Sequence, residues 1–194
     1  MNIFMKRSLI FSILSFLVFA CHEQETVLCN IKTSMGDILI ELYPEEAPLT
    51  VKNFLLYVDN DLYDQSSFFR VGTPGNEADR RIKIEVIQGG GIPEEKLFDP
   101  IAIETTKTTG LKHQDGTISM ARGEPNTAQS SFFICINDQP ELDFGGKRNP
   151  DGQGFAAYGK VIRGMETVKL IQQQKDKGQY LIEPVIILSI KRIE

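Results

Sequence analysis

His113, Asp115 and Ser119 share one short stretch and are the residue types of an acyl-transfer triad: a base, an acid to orient it, and a hydroxyl nucleophile. The serine stands in Ile118-Ser119-Met120 without the glycines of a nucleophile elbow, so the stretch is not read as a hydrolase site. Gly89-Gly90-Gly91 is open enough to approach a phosphate, but no Gly-Lys-Ser/Thr follows it. Asn149-Pro150-Asp151-Gly152 echoes part of a calcium loop. It lacks the leading Asp and the distal bidentate Glu, and a tight turn accounts for it better. His22 and His113 are the only histidines, and a zinc cluster needs more nitrogen and thiolate ligands than the chain offers. No metal and no cofactor is expected.

Another set of stretches carries a chemistry that needs neither. Phe68-Phe69-Arg70-Val71, Val86-Ile87-Gln88-Gly89-Gly90, Gly116-Thr117-Ile118-Ser119-Met120-Ala121, and Pro125-Asn126-Thr127 leading to Ser130-Ser131-Phe132-Phe133-Ile134 occur in that order. Tyr158-Gly159-Lys160-Val161-Ile162-Arg163-Gly164-Met165 follows them. Together they resemble the cyclophilin family, from about Val27 to the C-terminus. The resemblance implies a peptidyl-prolyl cis-trans isomerase acting on proline-containing polypeptides. It also implies the fold: all-β, a closed eight-stranded antiparallel β-barrel capped by two α-helices, with the active groove on its outer face.

What such an enzyme requires follows from the amide bond itself. Rotation must break resonance and crosses a barrier of about 18–20 kcal/mol. Before proline the two isomers lie close in energy, yet exchange takes tens of seconds or more. No bond is made or cleaved, so no nucleophile is needed. The demands are an apolar pocket for the proline ring, backbone contacts for the flanking peptide, and a donor stronger toward the twisted amide than the planar one. Twisting localises a lone pair on the prolyl nitrogen, and the rigid, always charged fork of an arginine can donate to it.

By position, the resemblance implies Arg70 as that arginine and Gln88 as the glutamine that contacts substrate backbone and steadies it. It implies Val86, Phe133 and Leu142 as walls of the proline pocket. Ala121 and Arg122 fall on the strand edge that pairs with substrate, where the family usually has Ala-Asn, and Phe155 falls where a histidine is common. Other departures are larger. Glu85 takes the place of a pocket phenylalanine, and Glu141 that of a tryptophan, a residue this chain lacks altogether. The link from Gly72 to Ile84 is much longer than the family's and leaves open whether Ile84 or Ile82 supplies the missing wall. A second long loop runs from Phe144 to Gly154. Glu85 and Arg122 favour an alternative, a barrel that grips proline segments with little turnover. Arg70, Gln88 and Phe133 favour the enzyme.

The elements that must position these residues are short. Val27 to Thr33 and Asp37 to Tyr43 alternate like strands around Ser34-Met35-Gly36, a hairpin pattern. Pro44 and Pro48 precede Val51, Phe54, Leu55 and Val58, which form one apolar helical face. Further strands fit Ser67 to Val71, Ile84 to Gln88, Thr117 to Ala121, Phe132 to Ile136 and Phe155 to Val161. A second helix fits Gly164 to Gln174, and Leu181 to Ile193 closes the chain with an interruption at Pro184. Many short strands with two helices favour an all-β barrel or sandwich.

The 194 residues are 41% hydrophobic and 24% charged, which suits one domain with one sizeable core. A formal charge of −5 argues against a nucleic-acid partner, since no basic stripe is present. Arg80-Arg81 and Lys147-Arg148 are read as solvated surface, and a monomer is expected. Cys29 shares phase with Val27 and Ile31 and should be a core residue; no disulfide with Cys135 is expected. The first twenty residues differ from the rest. Lys6 and Arg7 precede Leu9 to Ala20, an apolar run too short for the roughly 20 residues of a membrane span but suited to an export signal. Its end, Leu17-Val18-Phe19-Ala20-Cys21, resembles a bacterial lipobox, although Phe19 is larger than the usual occupant. An ordinary secretory signal with Cys21 incidental is the plainer alternative. The expected organisation is a signal peptide over 1–20, a lipidated Cys21, a tether over 22–26 and the isomerase domain over 27–194. That places the protein in a bacterial cell envelope, anchored to a membrane and facing the periplasm or exterior.

Overall fold

The computed structural model describes residues 25–193; the expected leader, its Cys21 and most of the tether lie outside them. Strands β1 (Val27–Thr33) and β2 (Gly36–Leu42) form the hairpin in full register, Val27 opposite Leu42 and Thr33 opposite Gly36. Thr33 closes its turn by donating from Oγ1 to the Gly36 carbonyl at 2.7 Å. Alternation does the sorting, because Cys29, Ile31, Ile38, Ile40 and Leu42 all point inward and are fully buried. Helix α1 (Pro48–Asp59) starts at a proline, as the pattern requires. Its free N-terminal amides are capped from afar: Glu104 accepts from the Leu49 and Thr50 backbone at 3.1 and 2.8 Å.

The remaining elements are β3 (Ser66–Gly72), β4 (Val86–Gly89), a one-turn helix α2 (Thr106–Thr109), β5 (Thr117–Met120), β6 (Phe132–Cys135), β7 (Ala156–Arg163), α3 (Met165–Gln172), β8 (Asp176–Lys177) and β9 (Tyr180–Ile193). Strands pair antiparallel in the order β1-β2-β7-β5-β6-β4-β3-β9, and β9 returns to β1. This is the closed eight-stranded barrel; β8 adds only a short hairpin to β9. Two longer helices were expected and α1 and α3 match them; α2 is an additional single turn.

Pro184 does not interrupt the last strand. The β3–β9 register shifts between Phe68 and Arg70, where β9 advances from Val185 to Tyr180, and the proline falls inside that bulge. A missing N–H costs no ladder bond there. Inside the barrel, Phe54, Tyr63, Phe68, Phe132 and Tyr158 pack with ring centroids 5.4–5.8 Å apart, several of them edge to face. Val168 and Ile171 of α3 and Val51 and Phe54 of α1 join that core. Cys29 and Cys135 are both free and buried, and burial pushes the Cys29 thiol up to about 12.

A smaller apolar cluster lies on the other side of the barrel wall: Ile84, Val86, Phe133, Cys135 and Leu142, flanked by Ala121 and Phe155. Strand β6 explains it. Phe132 and Ile134 face the interior while Phe133 and Cys135, one residue out of phase, face outward, so the strand is buried on both sides.

Candidate active site

Three adjacent strands put three side chains in a row. Arg70 on β3 stands opposite Gln88 on β4, and Gln88 stands opposite Phe133 on β6. Arg70 donates from Nη1 to Gln88 Oε1 at 2.8 Å and from Nε to Gln179 Oε1 at 3.0 Å; its Nη2 also donates to Gln179. The guanidinium is thus held by two glutamines, Gln88 and Gln179. Burial draws the Arg70 pKa down and nearby Arg148 and Arg80 add to that, while the Glu77 carboxylate, 3.8 Å away, opposes it. An arginine remains protonated throughout.

Beside the fork lies a pocket of about 270 Å³ lined by Val86, Phe133, Leu142, Phe155, Ala121 and Ile84, with Arg70 and Gln88 at its polar edge. Phe133 and Phe155 meet edge to face at 5.2 Å and 84°. Among the positions left open by the long link, Ile84 supplies the apolar wall. Ile82 instead lines a neighbouring pocket. Glu85 does not take the place of the missing phenylalanine: its carboxylate accepts from Asn137 Nδ2 at 3.0 Å. Its backbone carbonyl holds the Ile136 amide at 2.8 Å, which fixes the register just before β4.

Ala121 and Arg122 follow the end of β5 and border this pocket and a second one. The Arg122 side chain is committed elsewhere. It donates to both carboxylate oxygens of Asp151 at 2.8 and 2.9 Å and to the Gly154 carbonyl from Nε at 2.9 Å, and it stacks over Phe155 at 5.3 Å. These bonds draw the Asp151 carboxyl below its usual range and staple the second long loop to the rim of the pocket. Gly154 itself has no alternative there, since its φ is +66° and a Cβ would lie 2.4 Å from the Leu142 carbonyl oxygen.

The triad residue types do assemble, but with a different acid. His113 Nε2 lies 2.9 Å from Ser119 Oγ and Nδ1 lies 2.8 Å from Asp143 Oδ1, whereas Asp115 accepts from the Asn137 amide. His113 is 2% exposed and Ser119 is fully buried, so no substrate reaches the hydroxyl. The imidazole stacks on Phe133 with centroids 6.0 Å apart. The chain buttresses the pocket floor. Burial alone would raise the Asp143 carboxyl, but hydrogen bonds from His113 hold it below its usual range.

Three participants have no local signal in the sequence. Gln179 sits in the β8–β9 turn at φ +76°, where its amide bonds Asp176 at 2.9 Å and its carbonyl bonds the Val71 amide at 2.8 Å. Glu77, from the first insertion, is 1% exposed; it accepts from the Ile84 amide at 2.9 Å and from both arms of Arg148 at 2.8 and 2.5 Å. Arg148 comes from the second insertion, and its Nη1 also reaches the Ile82 carbonyl at 2.6 Å. The two insertions are therefore tied together, and the tie touches Arg70.

Comparison with known proteins agrees with this geometry. Residues 28–192 match the family described as cyclophilin type peptidyl-prolyl cis-trans isomerase. The peptidyl-prolyl cis-trans isomerase cyp18 of Streptomyces antibioticus is 36% identical over 170 residues, which span 84% of this chain and 96% of that one. The crystal structure of a cyclophilin type peptidyl-prolyl cis-trans isomerase from Cryptosporidium parvum superposes with a TM-score of 0.69 at 27% identity, covering 88% of this chain and 99% of its own. The same protein in the presence of the dipeptide Ala-Pro gives 0.67 at 26% identity, covering 86% and 99%. Barrel, groove and matched sequence together mean that this chain belongs to the cyclophilin-type peptidyl-prolyl cis-trans isomerase family.

Proposed function

We propose that this isomerase acts on X-Pro bonds of exported polypeptides and assists their folding, with the Arg70 groove as its active site. The observation that carries the reading is the pinned Arg70 fork beside a pocket of about 270 Å³. The proline ring enters between Phe133, Leu142 and Phe155 while Gln88 and the Ala121–Arg122 backbone hold the flanking peptide. Gln88 and Gln179 take three of the five N–H donors of a guanidinium, leaving two for substrate. A donor beside the prolyl nitrogen gains strength as the amide twists and its lone pair localises, which lowers the barrier without stabilising the planar ground state equally. The relative solved in the presence of Ala-Pro supports proline-containing peptides as the ligand class.

The alternative of a gripping barrel with little turnover loses its two supports, since Glu85 bonds Asn137 and Arg122 bonds Asp151. Export and anchoring rest on Lys6, Arg7, the apolar run and Ala20-Cys21. Acyl chains on Cys21 hold firmly because each buried CH₂ contributes about 0.8 kcal/mol. Only His22 to Thr26 intervene before β1, a reach of roughly 17 Å at about 3.3–3.6 Å per residue, so the barrel works close to the bilayer. Turnover of an Ala-Pro test peptide by the purified chain tests the reading; a rate no faster than buffer alone defeats it.

A further inference from the structure

The two basic doublets of the sequence, Arg80-Arg81 and Lys147-Arg148, are not separate patches of solvated surface. The insertions bring them together around one pocket of about 300 Å³, lined by Arg80, Arg81, Ile82, Lys147 and Arg148. Arg80 and Arg148 also line the proline pocket, so the two spaces are contiguous.

Only Arg148 is neutralised there; Arg80, Arg81 and Lys147 have no ion pair among the described residues. Glu77 is consumed by Arg148 and lies 3.8 Å from Arg70, which places two guanidiniums over one carboxylate. Glu141 receives the Lys147 backbone amide at 2.8 Å but does not line the pocket, and neither does the exposed Asp79. Lys83 adds a further cation on the same segment, bonded to the Pro74 carbonyl at 3.1 Å. Asn149, on the wall of the proline pocket, has a buried Nδ2 donor with no partner among the described residues. A chain with formal charge −5 has therefore gathered four cations at one end of its groove, on segments added to the family pattern. The clasp holds Arg148 in place, so one of the four is pre-organised.

We propose that the two insertions form an anion subsite that selects client segments bearing an acidic side chain near the proline. The proposal rests on the isomerase reading for its client, and contiguity with the proline pocket is why it names a peptide rather than a lipid surface.

The test uses proline peptides that differ only in Glu or Gln, scanned over the four positions on either side of the proline. Calorimetric Kd and isomerisation rate are measured for the parent chain and for Arg81→Ala/Lys147→Ala, residues that line the basic pocket but not the proline pocket. The parent should bind the best-placed Glu peptide about three- to tenfold more tightly than its Gln twin, as a few partly exposed charge pairs allow. The preference should fade in high salt and vanish in the double variant, with turnover of Gln peptides unchanged. Equal affinity for Glu and Gln at every position would overturn the subsite while leaving the isomerase reading intact. Preferential binding without turnover of any peptide would uphold the subsite and defeat the isomerase reading. Binding of phosphatidylglycerol vesicles through Arg81 and Lys147, with no Glu preference, would make the cluster a membrane patch and overturn the proposal.

Discussion

Arg148 and Glu77 stand 71 residues apart in sequence and meet as a bidentate ion pair, with the Glu77 side chain fully buried. Each comes from a long insertion, and the same carboxylate lies 3.8 Å from the Arg70 fork. Neither insertion is a free-standing loop; they brace each other against the active groove.

Breaking that pair should be costly. Removing one partner of a buried ion pair leaves an uncompensated charge, worth about 3–5 kcal/mol. Glu77→Ala should lower stability in denaturant unfolding by about that amount. Glu77→Leu combined with Arg148→Met, which removes both charges, should be markedly less destabilised. A double variant as unstable as Glu77→Ala would mean the loops are held by something other than this clasp.

The buttress behind the pocket gives a pH signature. Asp143 is held below its usual range, so the folded state binds its proton more weakly than the unfolded state does. Its contribution to stability is therefore whole above the ordinary carboxylate pKa of about 3.9 and is lost as pH falls below it. Asp143→Asn should remove that part of the acid dependence. An unchanged stability profile between about pH 5 and pH 2 would show that Asp143 does not carry it.

Much of this arrangement was legible in the sequence because it depends on local periodicity. The β1–β2 hairpin and the α1 face follow from spacing alone, and alternation on β6 forces Phe133 outward when Phe132 is inward. The row Arg70, Gln88, Phe133 then needs only strand pairing, which the ordered motifs implied. What sequence could not reveal are contacts between distant loops. Gln179 reaches Arg70 across 109 residues, and a turn glutamine looks like any other. Glu85 keeps the register that its spacing from Gln88 implies, one pair beyond Val86–Cys135, but its side chain turns to Asn137, a contact that spacing does not reveal. Asp143 replaced Asp115 beside His113 for the same reason, proximity made by folding rather than by spacing.

The proposed lipid anchor at Cys21 is open to a fractionation test. Cells expressing Cys21→Ser should release the protein from the membrane fraction, whereas the parent should sediment with it. Equal sedimentation of the two would remove the lipid anchor from the account.

Gln179 should matter through Arg70 and not through folding. A hydrogen bond to a charged group contributes about 1.5–3 kcal/mol, and the part realised in the transition state appears in the rate. Gln179→Ala should lower kcat by about tenfold with little change in KM. A change confined to KM would mean that Gln179 touches substrate and does not orient the fork.

Held by Gln88 and Gln179, the Arg70 guanidinium should stabilise the twisted amide. Removing a donor aimed at transition-state charge costs about 2.7–4 kcal/mol, roughly 10² to 10³ in rate. The most direct measurement is turnover of a proline-containing peptide by the parent, Arg70→Ala and Arg70→Lys, with circular dichroism establishing that all three are folded. Alanine should lose turnover by that factor and lysine should recover little, because its point charge cannot reproduce the planar fork held by Gln88 and Gln179. Turnover by folded Arg70→Ala equal to that of the parent would contradict that role for Arg70.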